Sequence, residues 1–215
     1  MQIQPDTTTR LGGWLFRHRS SLPLPVAIAI LAVPPGNAWR STALVASGVV
    51  VTLLGEIIRL WGVHHIGVIS RTRSDRLGPL VASGPFAIIR NPLYVGNILL
   101  WAGFALTARL AWLAPVILVL LGAEYHAIVR WEERLLESRL GDAYRMYAAR
   151  VPRWLPTLAT LNRRTRGDRR ERDLSAGSAF SAVRPYSLRE TLFSERGTLV
   201  AIALGYLLLW TKARF

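Results

Sequence analysis

Two stretches of this chain carry the residue types that chemistry requires. The first, Gly84-Pro85-Phe86-Ala87-Ile88-Ile89-Arg90-Asn91-Pro92-Leu93-Tyr94-Val95-Gly96-Asn97, is a glycine- and proline-punctuated turn that runs into an apolar helix. The second is Glu132-Glu133, placed where the next apolar segment ends. An arginine, a carboxylate, two aromatic faces and irregular backbone can together hold a ligand with charges of both signs and a flat ring. Gly84-Pro85 and Asn91-Pro92 bias the residue before each proline toward extended or turn geometry, which leaves main-chain groups free to bond. Arg90 can hold a carboxylate or mark a membrane surface. Glu132 and Glu133 are neighbours on a helix and point about 100° apart. Glu132 shares a face with Tyr125 and Val129, and Glu133 with His126 and Arg130. One carboxylate is therefore expected to face a ligand and the other to pair with an arginine. If a proton must be accepted, the candidates are Glu133, His64, His65 and His126. The chain has no cysteine, which excludes disulfides, thiolate catalysis and zinc–cysteine sites, and no metal site is predicted.

These residues have to be positioned by apolar helices. The chain has 215 residues, of which 51% are hydrophobic, and a mean hydropathy of +0.28, which predicts a membrane protein. Five crossing segments are expected: about 22–33, 41–63, 92–108, 110–129 and 197–211. The first is short and contains Pro23 and Pro25. Glu56 and Arg59 interrupt the second, a pair that either serves function or neutralises itself in packing. The third opens at Pro92, a residue suited to a first helical position. Arg109 and its neighbours separate the third from the fourth, predicting a tight helical hairpin. The net charge of +14 does not point to nucleic acid, because the basic residues flank apolar runs. With an internal N-terminus, 22 basic residues fall on the cytoplasmic side and 4 on the other, Arg59 lying within the second segment. The expected protein is a single all-α polytopic membrane domain over 1–215 in a bacterial inner membrane, N-terminus cytoplasmic and C-terminus outside. No cleavable signal peptide is expected. Residues 162–181 read as a basic cytoplasmic linker lying against anionic lipid. Both polar stretches then face the cytosol at the bilayer surface, where a charged soluble ligand and a lipid-dissolved one can meet.

Residues 50–156 carry a resemblance to a known family. Its parts are Leu80-Val81-Ala82-Ser83-Gly84-Pro85-Phe86, then Arg90-Asn91-Pro92-Leu93-Tyr94-Val95-Gly96, then Glu132-Glu133. It closes with Leu140-Gly141-Asp142-Ala143-Tyr144-Arg145-Met146-Tyr147 and Val151-Pro152-Arg153-Trp154-Leu155-Pro156. In this order and spacing the chain resembles the isoprenylcysteine carboxyl methyltransferase and phospholipid methyltransferase families of integral-membrane enzymes. The resemblance implies S-adenosylmethionine as cofactor, held in a cytoplasmic pocket of loops and helix ends. It carries cofactor contacts over to Arg71, Gly78, Pro79, Leu80, Val81, Phe86, Asn91, Pro92, Leu93, Tyr94 and Glu132, and Arg90 joins them as a match for the cofactor carboxylate.

Two departures bear on the acceptor. The family usually has histidine where this chain has Asn91, which retains hydrogen bonding and removes a titrating group. The isoprenylcysteine enzymes carry a substrate-contacting arginine four residues before the cofactor glutamate, where this chain has Ile128. A lipid or other amphiphile reaching the pocket between helices is the expected acceptor, with Gly96, Trp101 and Arg130 as candidate substrate-binding residues. Two other readings compete. Sterol-reductase-like membrane enzymes share part of the Arg-x-Pro-x-Tyr pattern and use NADPH, but Glu132-Glu133 and the lack of a 2′-phosphate cluster near the loop favour the methyl donor. A non-enzymatic membrane protein such as a transporter would place its charges near the bilayer midplane.

Overall fold

The computed structural model describes residues 7–19, 21–34, 41–67, 80–158, 160 and 185–214. Among them every regular element is helical: α1 (Thr7–His18), α2 (Leu24–Ala32), α3 (Thr42–Ile66), a single 3-10 turn (Gly84–Ala87), α4 (Pro92–Thr107), α5 (Leu113–Leu140), α6 (Asp142–Arg150) and α7 (Leu188–Lys212). The predicted all-α class holds. The helices α3, α5 and α7 are each long and apolar enough to cross a membrane. Their outer faces keep large apolar side chains exposed, among them Leu53 and Ile57 on α3, Val119 and Leu120 on α5, and Leu204 and Leu207 on α7. This is the surface of an integral membrane protein.

Not all five expected segments are full-length helices. At nine residues, α2 is about 14 Å long against a hydrocarbon core of about 30 Å, so this helix does not cross alone. Pro23 and Pro25 sit at its start. The helix α4 is also shorter than the three long ones, at 16 residues. At the other end of the chain, α7 begins nine residues before the predicted start of the last segment. Its capping box explains that start: Ser187 N–H donates to Glu190 Oε2 at 2.7 Å, and Glu190 N–H donates to Ser187 Oγ at 3.3 Å.

Small residues bring α3 and α4 close together in antiparallel register. A Cβ placed on Gly55 would meet the Gly96 carbonyl oxygen at 2.8 Å, and one placed on Gly103 would meet that of Gly48 at 2.8 Å. The backbones approach where side chains are missing, the usual device for packing helices that gain nothing from excluding lipid. The predicted hairpin follows. Arg109 has a left-handed φ of 62°, and Leu110 N–H donates to Ala105 O at 2.9 Å, closing the end of α4. The bundle core beyond the hairpin is built on Leu110, Ile117, Leu121 and Ile128.

One element was not anticipated. The N-terminal segment contains α1, which packs against α5 through Gly12 and Gly13 at Ala127 and Trp131, and through Phe16, whose ring lies 4.9 Å from that of Trp131. Leu11 and Trp14 remain exposed on its other face.

Candidate functional site

At the end of the bundle where α4 begins, the signature turn is strapped to α6 and the segment after it. Arg90 N–H donates to Pro152 O at 2.9 Å, Asn91 Nδ2 donates to Arg153 O at 3.2 Å, and the Tyr147 hydroxyl donates to Phe86 O at 2.8 Å. A small second core of Leu80, Tyr144, Tyr147 and Val151 lies beneath. The spacing of the quoted motifs therefore has a structural cause: the 144–153 stretch fixes the shape of the 80–91 stretch. Burial pushes the Tyr144 hydroxyl up to about 12 and that of Tyr147 higher still, so both stay protonated at neutral pH.

Above these straps opens a cavity of about 990 Å³. Its polar end is lined by Arg19, Arg90, Asn91, Tyr94, Glu132 and Glu133, with Leu80, Val81 and Phe86 from the turn. Midway it meets Arg59, Asn97, Tyr125, Glu195 and Thr198; beyond these the walls are apolar, formed by residues such as Ile30, Leu100, Trp101, Phe104, Ile202 and Leu208.

The two glutamates have different partners. Glu132 accepts a hydrogen bond from the Tyr94 hydroxyl at 3.0 Å, and the Tyr94 ring packs on Tyr125 at 4.8 Å. Glu133 is gripped by two guanidinium groups: Arg90 Nη1 donates to its Oε1 at 2.7 Å and Arg153 Nη2 to its Oε2 at 2.6 Å. The bond to Glu133 also holds the Arg153 guanidinium above its ordinary value. One carboxylate is tied up by arginines while the other keeps a neutral partner.

A second polar cluster sits deeper. The side chain of Arg59 on α3 donates to Glu195 at 2.5 Å and Thr198 at 3.1 Å on α7, and to Asn97 on α4. Glu56 lies 3.6 Å from Arg59 as an ion pair, with both carboxyl oxygens buried and without a hydrogen bond among the described residues. The Glu56–Arg59 pair was visible in sequence; its stronger partner on α7 was not.

The structure places the sequence-predicted residues as follows. Leu80, Val81, Phe86, Arg90, Asn91, Leu93, Tyr94, Trp101, Glu132 and Glu133 line the cavity. Pro92 is buried as the first residue of α4 and Gly96 faces α3, so neither forms a wall. Arg130, on α5, is also absent from the lining. The histidines lie elsewhere. His64 receives the Tyr186 amide on its carbonyl at 2.8 Å, the His65 ring packs beside Gly84, and His126 is exposed and stacks on Trp154 at 6.4 Å. Arg71, Gly78 and Pro79, like the linker 162–181, fall outside the described residues. Ile128, at the position of the family's substrate arginine, is 0% exposed in the core, so no ligand contact arises from it. Among the described residues no group of three or more His, Asp or Glu is placed to hold a metal ion.

Sequence reasoning missed Arg19, Asn97 and Glu195. Asn97 carried a readable signal, since a polar residue three positions after Tyr94 on an apolar helix shares its face. Arg19 and Glu195 carried none, because each lies just outside a predicted segment and reads as an ordinary flanking charge.

Comparison with known proteins places this helical membrane bundle in a family. The phospholipid methyltransferase family model matches residues 43–143, and the chain belongs to that family. It is similar to the cobalt-zinc-cadmium resistance protein CzcN of Cupriavidus metallidurans, at 32% identity over 156 residues, covering 69% of this chain and 68% of that protein. It is also similar to the nickel-cobalt-cadmium resistance protein NccN of Alcaligenes xylosoxydans xylosoxydans, at 29% identity over 155 residues, covering 69% of this chain and 70% of that one. No solved structure matches the chain.

Proposed function

We propose that this protein transfers a methyl group from S-adenosylmethionine to an amphiphilic acceptor at the cytoplasmic face of a bacterial inner membrane. The observation that carries this reading is the cavity joining the Tyr94–Glu132 end to apolar walls made by helices. The residues suit the cofactor. Arg19 and Arg90 each keep a buried nitrogen without a hydrogen-bond partner among the described residues, Glu132 offers a carboxylate, and Phe86 and Tyr94 offer ring faces. When bound, the cofactor supplies an electrophilic methyl on a sulfonium. Glu132, oriented by Tyr94, would hold the ammonium or the ribose hydroxyls, and the backbone at Leu80 and Val81 would meet the adenine edge. Positioning provides the acceleration in such a site. Glu133 is committed to Arg90 and Arg153, and the three histidine candidates do not line the cavity. This favours an acceptor atom that arrives with its lone pair available and needs no base. The acceptor would occupy the apolar part of the cavity near Trp101. A contribution to metal resistance, the property for which the two relatives are named, would then come through the modified amphiphile.

The orientation belongs to the same reading and rests on the basic asymmetry. The decisive experiment titrates the detergent-solubilised full chain with S-adenosylhomocysteine and with NADPH. Saturable binding of the first alone supports the reading. Binding of NADPH alone would replace it with the reductase, and methyl transfer from labelled cofactor into a total lipid extract would then be absent.

A further inference from the structure

We infer that Arg19 is the anchor for the carboxylate of the cofactor's amino-acid end, working opposite Glu132, which takes the ammonium. The inference rests on the cofactor reading above and adds a residue that lies outside the signature motifs.

Three arginines line the cavity: Arg19, Arg59 and Arg90. Two of them already have carboxylates, Arg59 from Glu195 and Arg90 from Glu133. Arg19 has none among the described residues. Its guanidinium carbon sits 4.0 Å over the Phe16 ring, which itself packs on Trp131. That stacking fixes the plane of the group and satisfies none of its N–H donors. Its Nη1 is buried and has no hydrogen-bond partner among the described residues. A buried cationic donor left unpaired costs free energy, so its retention in a cavity wall points to a ligand that pairs with it.

The neighbours define that ligand. Arg19 is close enough to act electrostatically on both Tyr94 and Glu132, so a held cation and a held anion face the same space. An α-amino acid zwitterion presents an ammonium and a carboxylate on one carbon, and a Glu/Arg pair complements it with one charge-assisted contact for each group. Arg90 is the less suited partner, because its charge is shared with Glu133 and its backbone is tied to Pro152. The packing of α1 on α5 at Ala127 and Trp131 thus gains a functional reason, since it delivers Arg19 to the site.

The test uses two nucleosides. S-Adenosylhomocysteine has the amino-acid end; 5′-methylthioadenosine shares the adenine, ribose and thioether and lacks that end. Calorimetry on the full chain in detergent should show wild type preferring S-adenosylhomocysteine. Arg19→Met, which keeps an unbranched side chain against Phe16, should reduce that affinity at least tenfold and leave 5′-methylthioadenosine within twofold. Arg19→Lys should recover part of the loss, since it restores charge without the planar fork. Equal weakening of both nucleosides by Arg19→Met would make Arg19 a packing residue and overturn the inference, as would unchanged affinity for S-adenosylhomocysteine. Wild-type protein that binds neither nucleoside would overturn the cofactor reading, and this inference with it.

Discussion

The cavity holds two polar clusters that use the same residue types differently. At the turn end, Glu132 meets a neutral phenol and the Arg19 guanidinium has no acid among the described residues, so both keep capacity for a ligand. Deeper in, Arg59 is held by Glu195, Thr198 and Asn97, and its side chain ties α3 to α4 and α7. Charge alone does not mark a site. What separates the two clusters is whether the charges are already spent on one another. A buried ion pair is costly to assemble and far more costly to break, so under the proposed reading the deep cluster serves as a clasp and the outer one as a receptor.

That distinction can be broken most directly at Arg59. Arg59→Met should destabilise the protein by about 3–5 kcal/mol, because Glu195, 3% exposed, and Glu56, 6% exposed, would keep buried charge without their cation. Adding Glu56→Gln and Glu195→Gln should restore much of the loss. Unfolding titrations in mixed micelles check both points. A stable Arg59→Met variant that fails only in acceptor binding would make the deep cluster a receptor as well.

Glu132 tests the other half. Glu132→Gln should weaken S-adenosylhomocysteine binding by about 1.5–3 kcal/mol, the range for hydrogen bonds to charged groups. Melting should change little, because the amide oxygen can still accept from Tyr94. A folded variant with unaltered affinity would remove Glu132 from the site.

Gly96 marks the boundary between the proposed site and the helix interface. It lies two residues from Tyr94 and was expected to line an acceptor path. A Cβ there would instead meet Arg59 Cγ at 2.6 Å and the Gly55 carbonyl oxygen at 2.8 Å. Gly96→Ala should therefore cost about 1–3 kcal/mol of stability through overpacking, with cofactor and acceptor binding falling together. Loss of acceptor binding alone, with melting unchanged, would return Gly96 to the cavity.

The same case shows how far sequence reaches. Pro92, the Arg109 turn and the Glu132-Glu133 pair were legible because each obeys a local rule: helix start, short hairpin, helical phase. Apolar length located α3, α5 and most of α7. The helix α1 escaped because Thr7–His18 lacks a long apolar run, and its burial depends on Gly12 and Gly13 finding Ala127 and Trp131 on a distant helix. Arg59 meeting Glu195 is a similar long-range fact. Glu195 lies seven residues into α7 and Arg59 seven from the end of α3, so their depths match only because the two helices run antiparallel with aligned ends. The distinction between Glu132 and Glu133 was half legible: helical phase separates them, but only the fold brings Arg90 and Arg153 to the second.

The smallest effect concerns the strap that supports the receptor cluster. Tyr147→Phe removes the bond to Phe86 O and leaves that carbonyl buried, which should cost about 1 kcal/mol. Alkaline titration probes the same strap without a mutation. Burial raises both phenol pKa values, so the folded state retains its protons where the unfolded chain, near pH 10, begins to lose them. With more protons bound in the folded state, stability falls as pH rises. The support from Tyr144 is thus complete below about pH 10 and is lost as pH climbs through about 12. Wild-type protein should show a decline in melting temperature over that window, and Tyr147→Phe should show a shallower one. The outer cluster should feel it first, with S-adenosylhomocysteine affinity dropping before the α3–α7 clasp opens, because the strap shapes the turn and does not touch Arg59. A simultaneous loss of binding and fold would mean that the two clusters are one cooperative unit.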